Sequence, residues 1–249
     1  MAPSYDHLRV RLIQVRERPA VIQEEQQTFL ERCHIRPEQL LTTSALAEPL
    51  EESILDDVDA VMIGGAGAYS VTHTYPWTGD LIRLVEACYE RHLPLFGSCW
   101  GHQFIARAFG GTVIKDVARS EMGTQEVSLT DAGADDPLFH DFPHRFSAQM
   151  GHQDRVSVLP DQAVELARND TAPFQAFRIK GRPIYGTQFH SELDAERERQ
   201  RLVAYRAYYT ETQSEAEFER TVAELRDTPE VDGLLSTFLR RFAVAEHAV

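Results

Sequence analysis

Cys99 stands in the run Gly97-Ser98-Cys99-Trp100-Gly101, between an apolar stretch and a helical one. Glycines two residues to either side let the backbone turn sharply and project the middle side chain at the end of a strand, the placement a cysteine nucleophile needs. A thiol at the start of the next helix also meets the positive end of the helix dipole, which favours the reactive thiolate. Those five residues alone are as compatible with a small core cysteine between two turn glycines. A working thiol requires a base, and the base requires an orienting partner. Ile184-Tyr185-Gly186-Thr187-Gln188-Phe189 reads as a strand that delivers His190 at its end, with Glu192 two residues later. If the chain stays extended, positions i and i+2 point the same way, so the carboxylate meets the ring nitrogen turned away from the thiol. A lone histidine is most often a satisfied core or surface residue; the strand end and the i+2 carboxylate single out His190 among ten.

These residues need a scaffold, and the pattern around them predicts one. Strand-like runs alternate with amphipathic helical stretches over the first two-thirds of the chain, as in a mostly parallel sheet covered by helices. The spacing predicts strands at residues 9–15, 40–43, 60–63 and 95–96, the third stopped by Gly64-Gly65 and the fourth by Gly97. Helices are predicted at 20–33, 77–92 and 101–109, the last stopped by Gly110-Gly111. Short β-like runs follow at 125–129, 145–150, 163–166, 174–179 and 184–189, extending the sheet or forming a second, antiparallel one. Beyond Leu193 the chain turns rich in Glu and Arg and reads as a helical tail with a solvated face. Its last piece, 231–245, puts Leu234, Leu235, Phe238, Leu239 and Phe242 at helical spacing, a face that docks on the domain or on another subunit.

Composition narrows the function. With 25 Lys and Arg against 39 Asp and Glu, the net charge is −14, which argues against binding a phosphate backbone. No apolar run reaches the length of a membrane span, and the N-terminus lacks a signal-peptide core, so a cytoplasmic protein is expected. Three cysteines are too few and odd in number for a disulfide framework; Cys33 and Cys88 read as small buried hydrophobes. No C-x-x-C or H-E-x-x-H spacing occurs, so neither a metal nor any cofactor is expected.

Gly97-Ser98-Cys99-Trp100-Gly101-His102-Gln103 and Phe189-His190-Ser191-Glu192 together resemble the paired motifs of the class I, or triad-type, glutamine amidotransferases, in order and separation. The family has G-x-C-x-G-x-Q and F-H-P-E; here Ser191 replaces the proline. Asp59-Ala60-Val61-Met62-Ile63-Gly64-Gly65 resembles the strand and Gly-Gly loop that supply an oxyanion-hole N–H, which assigns the donors to Gly65 and Trp100. The family's proline after the glycines is absent, and Ala66-Gly67-Ala68-Tyr69-Ser70 predicts a longer, more mobile loop. Read without the resemblance, the glycines are a strand-ending turn; a phosphate loop is disfavoured because no Lys-Ser/Thr follows. Gln149-Met150-Gly151-His152-Gln153-Asp154 resembles the M-S-H-G-D stretch that holds the substrate α-carboxylate, implicating Gly151 and His152; a strand end with an exposed histidine fits equally well. Gln103 matches a substrate-contacting position and alone would be an ordinary helix residue.

The resemblance covers residues 8–193 and implies a flavodoxin-like α/β domain, with 194–249 a helical extension packed on the domain or a partner. It also implies a glutaminase that works through a Cys99-His190-Glu192 triad and a thioester, similar to the glutaminase half of GMP synthase. No ATP-binding loop of either common type is present, so an acceptor synthetase would be a separate polypeptide. Three other readings fit the same residues: a stand-alone γ-glutamyl hydrolase or peptidase, a catalytically silent regulatory subunit, and a homo-oligomer.

Overall fold

The structure is a computed structural model that describes residues 5–47 and 49–244. In chain order the elements are β1 (Val10–Val15), α1 (Pro19–Cys33), β2 (Leu40–Ser44), β3 (Ala60–Ala66), α2 (Thr78–Glu90), β4 (Leu95–Ser98) and α3 (Trp100–Ala108). Next come β5 (Thr112–Lys115), β6 (Glu121–Leu129), α4 (Asp131–Ala134), β7 (Arg145–His152), β8 (Asp154–Val158), β9 (Ala163–Arg168), β10 (Ala176–Ile179) and β11 (Ile184–Thr187). The chain closes with α5 (Ala195–Ala204), α6 (Arg206–Thr210), α7 (Glu215–Ala223) and α8 (Leu234–Phe238), the last continued by a π-helical turn over Leu239–Ala243.

Nine strands form one sheet in the order β2-β1-β3-β4-β11-β10-β9-β6-β7, while β5 and β8 pair separately. From β2 to β11 all neighbours are parallel; from β11 outward they are antiparallel. The mostly parallel centre flanked by helices is the expected fold class, and the five later runs foreseen all extend this sheet as β6, β7, β9, β10 and β11.

The central strands β3, β4 and β11 are buried almost throughout because both faces are covered. Val10 and Leu12 of β1, Met62 of β3, Phe96 of β4 and Tyr185 of β11 face one core with α1 and α8, while Ile13, Ile63, Leu95 and Ile184 face another with α2 and α3. The glycines expected to end β3 and β4 lie inside them: β3 continues through Gly64-Gly65 to Ala66, which pairs with Val15, and Gly97 pairs with Gly186. A strand keeps glycine where a neighbour presses close. A Cβ on Gly64 would lie 2.7 Å from the Glu25 carboxylate oxygen. Unforeseen β5 and β8 are short and partly exposed, so they carry no continuous apolar signal.

The tail is several helices rather than one. Asp194 caps α5 by accepting from the Arg197 N–H at 2.8 Å, and a Ser214–Glu217 capping box starts α7. Leu202, Tyr209, Phe218 and Val222 close a small core over Met122 of β6. The apolar face at 234–242 docks on the domain: the Phe238 ring lies 5.4 Å from that of Phe96, and Phe242 stacks at 5.2 Å on Tyr185. Residue 245, the end of the expected last helix, lies outside the described residues, as do 246–249 of the extension. Among the described residues no helix is long and apolar enough to cross a membrane.

Candidate active site

The turn between β4 and α3 puts Cys99 at φ 50° and ψ −96°, a left-handed backbone that a non-glycine residue adopts only under strain. Glycine on both sides is obligatory here. A Cβ on Gly97 would lie 2.5 Å from the Gly101 carbonyl carbon, and one on Gly101 would overlap the Ile63 carbonyl of β3. The Cys99 N–H donates to the Thr187 carbonyl at 2.8 Å, fixing the turn to the end of β11. The Gln188 side-chain amide lies 3.6 Å from the sulfur.

Extended backbone does not persist to Glu192. β11 ends at Thr187, the chain bends, and His190 returns as an isolated bridge to Gln149 of β7, its N–H donating at 2.9 Å. The bend still brings the side chains together: His190 Nδ1 lies 2.7 Å from Glu192 Oε1, and Ser98 Oγ donates to Glu192 Oε2 at 2.7 Å. Cys99 and the imidazole line the same cavity, close enough to act on each other electrostatically. Burial opposes charge on His190, but Glu192 and Cys99 outweigh it and raise the imidazole well above its usual range. Burial likewise opposes charge on Glu192, yet His190, Arg201 and Ser98 together hold its carboxyl at about 2.

Behind the pair lies a buried charge cluster that crosses from the domain into the tail. Arg16 of the β1–α1 loop meets Glu25 of α1 at 3.0 Å with both side chains almost fully enclosed. Arg201 of α5, 5% exposed, lies 3.7 Å from Glu192 and 4.0 Å from Glu25, and pairs with Glu24. Glu198 of α5 is buried, which pushes its carboxyl up to about 7 despite His190 and Arg201 nearby. The expectation of a solvated Glu/Arg face is therefore overturned for these two residues, because α5 packs over α1 and β7 rather than standing free.

A cavity of about 300 Å³ opens over the sulfur. Of the residues singled out from sequence, Cys99, Trp100, Gln103, Gly151, His152 and His190 line it. Gly65 stands just behind its wall, where a Cβ would lie 3.4 Å from His190 Cε1, and Ala66 forms the surface itself. Gln103 donates to the Asp154 carbonyl at 2.6 Å and to Gln188 at 3.0 Å. His152 is buried, not exposed, between the Asp154 carbonyl at 3.1 Å and Glu121 at 3.2 Å. The loop expected to be mobile is pinned: Ser70 Oγ reaches Asp154 at 2.5 Å, Tyr69 pairs with Glu17, and Tyr75 stacks on Trp77 at 5.1 Å.

Several lining residues went unread in the sequence. Tyr205 at the junction of α5 and α6, with Tyr208 and Tyr209 of α6, roofs the cavity, and the Tyr209 hydroxyl donates to the Gly151 carbonyl at 3.0 Å. No spacing rule marks a roof made from a distant segment. Ser98 was inside the quoted motif, but its contact with Glu192 depends on how β4 and β11 align.

The family model described as Glutamine amidotransferase class-I matches residues 29–208. A subunit of the glutamine-hydrolysing GMP synthase of Pyrococcus furiosus is 35% identical over 116 residues, covering 47% of this chain and 60% of that protein. Its counterpart in Pyrococcus abyssi is 32% identical over 139 residues, 56% of this chain and 71% of the other. A glutamine amidotransferase from Thermotoga maritima shares the fold with a TM-score of 0.68 at 21% identity, over 96% of this chain and 100% of its own. With a family match across most of its length, this chain belongs to the class I glutamine amidotransferases.

Proposed function

We propose that the chain hydrolyses the side-chain amide of glutamine in the cytoplasm and supplies ammonia to an acceptor enzyme on a separate polypeptide, in the manner of the glutaminase half of GMP synthase. The observation that carries this reading is the buried contact series from Cys99 through His190 to Glu192, closed by Ser98. The Cys99 thiolate attacks the amide carbon, and the oxyanion rests on the N–H groups of Gly65 and Trp100. As the C–N bond breaks, His190 gives its proton to the departing ammonia, leaving a thioester. Water, deprotonated by His190, then displaces the sulfur and frees glutamate, with Glu192 holding the imidazole in place throughout. Gln103, Gly151 and His152 hold the amino-acid end of the substrate. Residues 8–193 carry the triad, and the extension that begins at residue 194 packs upon them over its described part, 194–244.

Intact-protein mass spectrometry after incubation with glutamine, and separately with a thiol-directed glutamine analogue, tests this. The expected result is ammonia release together with one adduct on Cys99, both absent in Cys99→Ala. No adduct at any pH leaves a catalytically silent regulatory protein. A second reading, hydrolysis of larger γ-glutamyl amides, is favoured by a neighbouring cavity of about 330 Å³ that shares Arg16, Gly67, Tyr69 and Tyr205 with the first. Strong preference for γ-glutamyl dipeptides over glutamine would select it.

A further inference from the structure

Arg201 has no place in the motifs, yet its guanidinium is enclosed beside the triad carboxylate. It lies on α5, outside the segment that carries Cys99, His190 and Glu192, and it also lines the cavity. Glu192 already commits one oxygen to His190 and the other to Ser98. Arg201, 3.7 Å from the oxygen that faces the imidazole, adds the fixed positive charge that an enclosed carboxylate otherwise lacks. We propose that Arg201 is a positioning residue: it holds Glu192 as the anion facing His190 and tunes the imidazole as the base of thioester hydrolysis. This rests on the glutaminase reading above.

The groups facing this cluster come from every element packed around it. Cys99 and Glu192 face His190; Ser98 at the end of β4 and Cys33 of α1 face Glu192. Glu24 and Glu25 of α1 face Arg201, Arg16 faces Glu25, and Glu198 faces both His190 and Arg201. In formal charge, the two arginines stand against Glu24, Glu25 and Glu192, a negative excess that favours the protonated imidazole. Removing positive charge at residue 201 therefore keeps His190 protonated to higher pH, and removing negative charge at residue 24 does the reverse.

The test is the pH profile of kcat for glutamine hydrolysis, with competent sites counted by the glutamine-like electrophile. Because His190 must be neutral to take the proton from water, Arg201→Gln is expected to move the acid limb upward and lower kcat near neutrality about tenfold, with KM changed less than about twofold. Arg201→Lys should recover much of the loss, and Glu24→Gln should move the limb downward. A merely structural role lowers the count of competent sites and moves neither limb. Limbs unmoved in an active enzyme, or a change confined to KM, overturn the proposal. Should Arg201→Gln fail to fold, an unmoved limb in Glu24→Gln does the same. Wild-type protein that releases no ammonia overturns the glutaminase reading, and the role of Arg201 with it.

Discussion

His190 and Glu192 are tied by one short contact, and each holds the other in its charged form, so acid or base strips stability from the fold. The Glu192 carboxyl is lowered from 4.5 to about 2, so its contribution is complete above 4.5 and is lost as pH falls toward 2. His190 is raised above 6.5, so its contribution is complete below 6.5 and is lost as pH climbs through the raised value. Glu192→Gln is expected to slow glutamine hydrolysis by about 10²- to 10⁴-fold, and its stability deficit in urea against wild type should shrink between pH 5 and pH 2. A constant deficit across that range would separate Glu192 from the acid transition. Cys99, His190 and Glu192 were legible because the chemistry confines each to a short, recognisable run. Arg201 was not: a charged residue in a Glu/Arg-rich helix looks solvated until the packing of α5 on α1 encloses it.

At the scale of elements, the central parallel strands were legible because burial on both faces writes a short, largely apolar run, whereas β5 has no buried residue and β8 opens on the polar pair Asp154-Arg155, so neither carries that signature. Strand ends were misread where glycine serves packing rather than turning. Gly97 shows the reason, since the α3 backbone at Gly101 and His102 presses directly onto it. The apolar face of α8 was read from helical spacing, but the choice between the domain and another subunit was not in the sequence. Phe238, fully buried among Phe96, Tyr185 and Phe242, makes that docking measurable. Phe238→Ala is expected to cost about 3–5 kcal/mol in denaturant melts, the usual penalty of an aromatic cavity. A loss below about 1 kcal/mol would show that α8 contributes little to the folded domain.

For the molecule as a whole, the extension is built into both the core and the site. Val231, Leu234, Leu235 and Leu239 are fully enclosed against the same core as β1 and α1, and α5 to α7 close the small core over β6. A chain ending after Leu193 would expose all of that surface. It is expected to be insoluble or molten, without cooperative unfolding by circular dichroism and without glutaminase turnover. A soluble, cooperative and active truncation would mean that the first 193 residues suffice. The roof over Cys99 has a topographic corollary. Tyr205, Tyr208 and Tyr209 of the extension line the cavity together with the exposed His73 and Lys115 of the domain. A small molecule reaching the sulfur passes beside aromatic rings that belong to the extension, so substitutions far from Cys99 in sequence bear directly on access to it.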